Sequence, residues 1–287
     1  MRTKSIIFAV LTFIACSHAL AHAAPAAAGI AWHKDLAAAR ELAKQTGKPM
    51  MLDFVADWCK PCKEMERSFW PLPHVVALSE KFVCVAVSFD KRGPELSQYR
   101  IDRIPAVVFT DPWGNFMTAK FGFGLGTPDE LTKLMQAVPA DFSPLAEWNA
   151  VLERDKNNPG ALAKLGAFYS KHGVIDLSTG YYKKALKSKE LAANLEAYGE
   201  LLIAVGINSL KQQEYGEARK MFEDYLKQVP NGKHADTALY GIFTSHIGRK
   251  KFDEAEKTLA QLRTAHPNST VIRQAVERLE QARSQKQ

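Results

Sequence analysis

Asp53-Phe-Val-Ala-Asp-Trp-Cys-Lys-Pro-Cys62 joins two different patterns. The apolar run from Met50 leads into it and reads as a buried strand ending at Ala56. Lys63-Glu-Met-Glu-Arg-Ser-Phe-Trp70 leads out of it with helical spacing, and Pro71 and Pro73 end or kink that helix. The stretch closes on a Cys-x-x-Cys pair, Cys59 and Cys62, with Trp58 in front and Lys60-Pro61 between. Two thiols at the point where a strand gives way to a helix suggest redox chemistry. The alternative is half of a zinc site. No second Cys-x-x-Cys or Cys-x-x-His exists to complete one, and His74 with Cys84 is a poor complement, so no metal is expected.

Upstream, Asp35 to Gln45 is rich in helix formers with Leu36, Ala39, Leu42 and Ala43 on one face; Gly47 stops this helix and Pro49 breaks it. The Ala-rich stretch 25–31 is expected to be mobile. Downstream, His74 to Lys81 reads as helix and Phe82 to Phe89 as a second apolar strand closed by Asp90. A short helix is expected around Glu95 to Tyr99, and a third strand over Ile104 to Phe109. Asp111-Pro-Trp-Gly-Asn115 is a turn signal, with Phe116 to Phe121 as the hairpin partner. Thr127-Pro-Asp-Glu130 predicts a helix start with Thr127 as N-cap and Glu130 completing a capping box, the helix running to Ala137. Alternating strands and helices that finish in a hairpin predict an α/β domain over 25–140, a mixed sheet with helices on both faces.

Here a family resemblance becomes specific. Trp58-Cys-Lys-Pro-Cys62 after Leu-Asp-Phe, Ile104-Pro105 ahead of a strand, and Phe121-Gly122 after the hairpin resemble the thioredoxin family. Gly47-Lys-Pro-Met-Met-Leu-Asp-Phe-Val-Ala-Asp-Trp-Cys59 is especially similar to the DsbD-like branch of that family and to related periplasmic thiol-reducing proteins. The resemblance covers residues 30 to 140. It implies a cis peptide at Pro105, where an X-Pro bond is ordinarily trans. It also implies that Pro105 packs beside the Cys pair, and that the backbone of Ile104 pairs with an extended substrate peptide.

The thiol chemistry follows from position. Only a thiolate attacks a disulfide. Cys59 lies at the helix start, where free N–H groups and the helix dipole favour negative charge, so it is expected to be the exposed nucleophile. Cys62, one turn later, is the resolving thiol. Lys60 adds a nearby cation, and Pro61 stiffens the bridge. Asp53 lies six residues before Cys59, and strand alternation points it inward beneath the pair. It is either a buried proton acceptor for the resolving thiol, the role of the matching aspartate in the family, or a strand-end hydrogen-bonding residue. Trp58, Ile104 and Pro105 are the expected substrate-facing residues. Family members often place a lysine near the buried aspartate; Ala86 stands about there in this chain. Cys84, in the same strand, is either a small core thiol or a third redox partner.

Pro139-Ala-Asp-Phe-Ser-Pro144 reads as a linker, placed at 141–145, and 146–287 shows only helical periodicity. Ala218, Phe222, Tyr225 and Pro230 share their spacing with Ala255, Leu259, Leu262 and Pro267. Leu202, Val205 and Gly206 precede the first set; Leu239, Ile242 and Phe243 precede the second. A weaker copy holds Leu162, Leu165, Gly166, Tyr169, Tyr182 and Ala185. The pattern resembles tetratricopeptide repeats, an all-α domain whose groove binds a peptide or protein; an ordinary helical bundle is the alternative. Tyr181 and Tyr182 fill the core or line the groove.

Of the 287 residues, 46% are hydrophobic and 24% charged, which predicts globular packing. Arg2 and Lys4, the apolar segment Ile6 to Ala15 and Ala21-His-Ala23 read as a signal peptide over residues 1–24. A lipobox ending at Cys16 is the rival reading, with Phe13 a poor first residue. Cleavage would lower the formal charge of +7 by two, and no basic stripe with interleaved aromatics points to nucleic acid. The expected function is an exported, periplasmic thiol–disulfide oxidoreductase that reduces disulfides of periplasmic proteins by Cys59 attack and Cys62 resolution, with no cofactor beyond the Cys59–Cys62 pair. Its partners would be a protein disulfide, a membrane thiol transporter as electron donor, and a protein or peptide held by the repeats. The alternatives are a non-catalytic tetratricopeptide adaptor and an oxidase or isomerase.

Overall fold

The computed structural model describes residues 29–284; the expected signal peptide and the Cys16 site lie outside the described residues. The first part of the chain forms β1 (Trp32–His33), α1 (Leu36–Thr46), β2 (Met50–Val55), α2 (Lys60–Ser68), α3 (Pro73–Ser79), β3 (Val83–Ser88), a 3-10 turn (Phe89–Lys91), α4 (Pro94–Gln98), β4 (Ala106–Thr110), β5 (Phe116–Phe121) and α5 (Thr127–Ala137). The five strands make one mixed sheet in the order β1-β3-β2-β4-β5. β2 runs parallel to β3 and antiparallel to β4, and β4 is antiparallel to β5. This is the mixed sheet between two helical layers that the sequence predicts.

Side-chain alternation in β2 sets the two layers. Met50, Leu52 and Phe54 share a core with Ala39 and Ala43 of α1 and with Val83, Val85, Tyr99 and Val108. Met51 points the other way, to Met65 and Phe69 of the α2 region, Cys84, Val107 and Leu131. Asp35 caps α1 by accepting from the N–H groups of Ala37 and Ala38, and Gly47, at φ 68°, ends it.

Three local expectations are corrected. The helix at Thr127 is not opened by a capping box: Gly126 takes the cap position at φ 83°, and the Thr127 hydroxyl turns back to accept from the Gly124 N–H. The Glu130 carboxylate meets Lys120 instead, across from β5. Ile30, in the stretch read as mobile, packs against the core, and β1 follows at once. The expected linker is not a free tether: Phe142 and Leu145 are fully buried in the core that Met51 enters, because α6 starts inside the linker.

The rest of the described chain is helical: α6 (Ser143–Arg154), α7 (Pro159–Lys171), α8 (Ile175–Ala185), α9 (Lys189–Ala193), α10 (Leu195–Lys211), α11 (Tyr215–Gln228), α12 (Ala235–Gly248), α13 (Phe252–Ala265) and α14 (Val271–Ser284). α7 packs on α8, α10 on α11 and α12 on α13. The small residues explain the close pairing. A Cβ on Gly206 would come within 2.7 Å of the Phe222 ring, and one on Gly166 within 2.5 Å of Tyr182. Ala218, Phe222, Tyr225, Ala255, Leu259 and Leu262 are all buried, as their spacing predicts. Tyr182 is core, and Tyr181 is half-buried against Tyr169, with which it stacks at 5.6 Å.

The two parts share one core and one polar knot. Asp111, in the turn after β4, is fully buried. It accepts from the Trp113 N–H (2.8 Å), the Asn115 N–H (2.8 Å) and Asn115 Nδ2 (2.8 Å). Its fourth donor is the hydroxyl of Tyr169, which reaches across from α7. Burial pushes the Asp111 carboxyl up while the hydrogen bonds pull it down. Burial and the Asp111 charge push the Tyr169 phenol up, so it remains a donor. Tyr169→Phe keeps the ring and removes this donor. It should cost ~1–3 kcal/mol, read as a lower urea midpoint at unchanged slope.

Candidate functional site

The Cys pair sits where sheet geometry brings β2 to its end. Cys59 is the N-cap of α2, with φ −77° and ψ 96°, and its Sγ accepts from the Cys62 N–H at 3.2 Å. Its own N–H donates to the Ala56 carbonyl and its carbonyl accepts from Lys63, so the loop is locked into the first helical turn. Cys59 and Cys62 form a disulfide with Cα atoms 5.3 Å apart. Lys60 and Pro61 are exposed at the first positions of α2.

The expectation of an exposed Cys59 is corrected: it is only 2% exposed and Cys62 6%. Its sulfur turns inward to Cys62 and the helix N-terminus, leaving the surface of the motif to Trp58, which is 63% exposed. Trp58 is fixed by donating Nε1–H to Asp90 at 3.0 Å and by an edge contact with Phe89.

Ile104-Pro105 is a cis peptide. The register Phe54↔Ala106 sets this dipeptide at the start of β4, beside the end of β2 where the Cys loop begins. Pro105 is buried, and its carbonyl accepts from the Gly122 N–H at 2.8 Å; Ile104 is half-buried. Trp58, Cys59, Ile104 and Pro105 therefore come to one end of the sheet.

Asp53 lies on the opposite side of the pair. A cleft of ≈ 910 Å³ is lined by Asp53, Cys62, Glu66, Trp70, Trp32 and Ala86, among others, but not by Cys59. Asp53 is 5% exposed. Its Oδ2 accepts from Trp70 Nε1–H at 3.0 Å, while Oδ1 has no partner within the protein. Burial pushes this carboxyl up to about 7; the Trp70 hydrogen bond opposes the rise and the Glu66 charge adds to it. In the sheet Asp53 pairs with Ala86 and Val107, neither of which carries charge.

Sequence reasoning passed over Trp70 and Glu66 as site residues. The available signal was helical spacing: Cys62, Glu66 and Trp70 follow one another at intervals of four. Cys84 stays apart, buried with its Sγ 3.6 Å from the Ser79 carbonyl; burial pushes its thiol up to about 12, which keeps it protonated. Among the described residues no cluster of three or more His, Cys, Asp or Glu could hold a metal, and no helix is long and apolar enough to cross a membrane.

Asp53 also links stability to pH. Its carboxyl titrates near 3.8 when exposed and at about 7 when folded. The cost of burying the charge is absent below the exposed value, grows between the two, and is complete above the folded one. Asp53→Asn keeps an acceptor for Trp70 and removes the charge. It should stabilise the protein by about 4 kcal/mol at pH 8, as an upper bound, with the gain vanishing toward pH 4; urea melts across that window measure it.

Residues 31–112 match a family model described as thioredoxin-like, and residues 209–279 match one described as tetratricopeptide repeat. The second match takes in Ala218 to Pro230 and the whole last copy, Leu239 to Pro267, but starts after Leu202, Val205 and Gly206 and includes nothing of the first copy. The chain is 34% identical over 102 residues to "Thiol:disulfide interchange protein DsbD" of Vibrio vulnificus, a stretch that is 34% of this chain and 16% of that protein. It is 32% identical over 80 residues to "Thiol:disulfide interchange protein TxlA homolog" of Synechocystis, 28% of this chain and 44% of that one. The chain thus spans less than half the length of either relative. A solved Neisseria meningitidis DsbD C-terminal domain in the oxidised form aligns with 25% identity over 37% of this chain and 97% of that one, at a TM-score of 0.31. The chain carries a thioredoxin-like domain followed by tetratricopeptide repeats.

Proposed function

We propose that this protein is an exported thiol–disulfide oxidoreductase that reduces disulfides of periplasmic proteins. The observation that carries the reading is the Cys59–Cys62 disulfide at the start of α2, with the buried Asp53 carboxyl on the cleft that reaches Cys62. The relatives named thiol:disulfide interchange proteins support it, and Arg2, Lys4 and the apolar segment after them support export.

The cycle starts from the dithiol. The Cys59 thiolate, favoured by the N–H groups of the first turn of α2, attacks one sulfur of a substrate disulfide. A Cys59–substrate disulfide forms and one substrate sulfur leaves as a thiolate. Asp53 accepts the proton of Cys62, whose thiolate attacks Cys59 Sγ. The second substrate thiolate leaves, and the Cys59–Cys62 disulfide closes. Two electrons have passed to the substrate, which takes up two protons. A dithiol donor, here proposed to be a membrane thiol transporter, must return the pair to the reduced state. Ile104 and Pro105 offer the extended edge for the substrate backbone, Trp58 an exposed aromatic face beside it, and the repeats a surface for a partner protein.

The mature protein should reduce insulin disulfides in the presence of dithiothreitol, and Cys59→Ser should fall to the uncatalysed rate. Equal, near-background rates for both would leave a non-catalytic adaptor. A measured reduction potential near that of strong oxidants would instead assign an oxidase or isomerase. Cys62→Ser should accumulate mixed disulfides through Cys59 in cells, resolved as dithiothreitol-sensitive bands on non-reducing gels. Their absence, with Cys62→Ser as bare as Cys59→Ser, would count against the thiol order.

A further inference from the structure

We propose that Trp70 is the positioning residue of the Asp53 proton acceptor: its indole N–H holds Oδ2 of the carboxylate, leaving Oδ1 as the one oxygen without a partner beside the cleft that reaches Cys62. This rests on the oxidoreductase reading above.

A carboxylate held between a sheet and a helix needs donors to remain ionised. Asp53 receives one, from Trp70, and no neighbour in the sheet supplies charge, since Ala86 and Val107 flank it. The remaining charged groups lie around the cleft: Lys63 and Glu66 on α2, Lys34 and Asp35 after β1, Asp57 after β2, and Asp90, Lys91 and Glu95 beyond β3. Of these, Glu66 acts appreciably on Asp53, and it opposes ionisation. The stabilising partner is therefore a neutral dipole.

Trp70 is well held for this task. It is buried, meets Trp32 edge-on at 5.1 Å and 70°, and meets Phe69 at 4.9 Å and 62°. These contacts fix the direction of the N–H, so the donor stays aimed at Oδ2 while Oδ1 takes up and gives back the proton. A neutral donor favours the carboxylate without the full attraction of a cation. The acceptor then keeps a proton affinity close to neutrality, where it can cycle.

Trp70→Phe keeps an aromatic ring, though one smaller than the indole, and removes the N–H. In the reduced full-length protein, the Asp53 carboxyl carbon titration followed by NMR should move up by ~1–2 pH units. The pH inflection for release of a Cys59-linked mixed disulfide should move with it. A structural role alone would lower the melting temperature and leave both midpoints in place. In the unaltered protein, the Trp70 Nε1–H resonance should follow the Asp53 midpoint, and Asp53→Asn should make it independent of pH. This second readout applies even if Trp70→Phe does not fold. An active protein whose Asp53 midpoint is unmoved in folded Trp70→Phe, or whose Nε1–H resonance ignores Asp53, overturns the proposal alone. A protein inactive toward disulfides overturns the reading beneath it, and the role with it.

Discussion

The interaction on which the site depends is the burial of one ionisable carboxyl under α2. β2 is the central strand, hydrogen-bonded to β3 on one side and β4 on the other, so Asp53 cannot turn away without breaking the sheet's alternation. Asp53 is nearly buried, held by Trp70 at the border of the cleft that it shares with Cys62 and Glu66. The fold thus accepts an unfavourable charge at the place where the thiols sit, a common compromise between stability and a functional site. The two thiols divide the same helix start between them. One sulfur caps the helix, and the other borders the cleft above the carboxyl. The Cys loop and the cis-Pro dipeptide meet at one end of the sheet, while the Asp53 carboxyl borders a cleft that Cys62 lines and Cys59 does not.

The second organising element is the turn after β4. A fully buried aspartate there ties its own loop with three donors and takes the fourth from α7. The surrounding core runs without interruption from Met51 and Leu131 to Leu145, Leu165 and Tyr169. The helical repeats therefore begin as a third layer on the sheet domain. Farther along they revert to nearest-neighbour packing, with separate cores around Phe222 and Phe243.

Much of this was legible in the sequence because it is local. Gly47, the prolines at 71 and 73, and the Asp111–Asn115 turn act within a few residues, and the elements fall where those signals put them. The repeat spacing was legible because small residues recur where paired helices approach closely, as Gly166 does against Tyr182 and Gly206 against Phe222. Apart from the helix start at Thr127, what failed was decided mainly by tertiary packing. Thr127 has the composition of a cap, yet Gly126 starts the helix because its backbone is free to adopt a positive φ. β1 is two residues long and exists only through its pairing with β3. Cys59 carries no sequence mark of burial, and Trp70 none of its bond to a residue 17 positions earlier. The linker looked polar and proline-rich, yet two of its residues are core because a neighbouring layer covers them.

The Asp111–Tyr169 knot has a consequence for geometry between modules. A flexible tether would let a bound partner sample a wide volume, giving a low, length-dependent local concentration at the thiols. A shared core replaces that statistical distribution with one fixed lever arm. Whatever docks on the first repeat is presented to the sheet domain at a set distance and angle. Reach would then be a property of the chain, and a partner's reactive group would meet the thiols only if it lay at the matching place on that partner's surface.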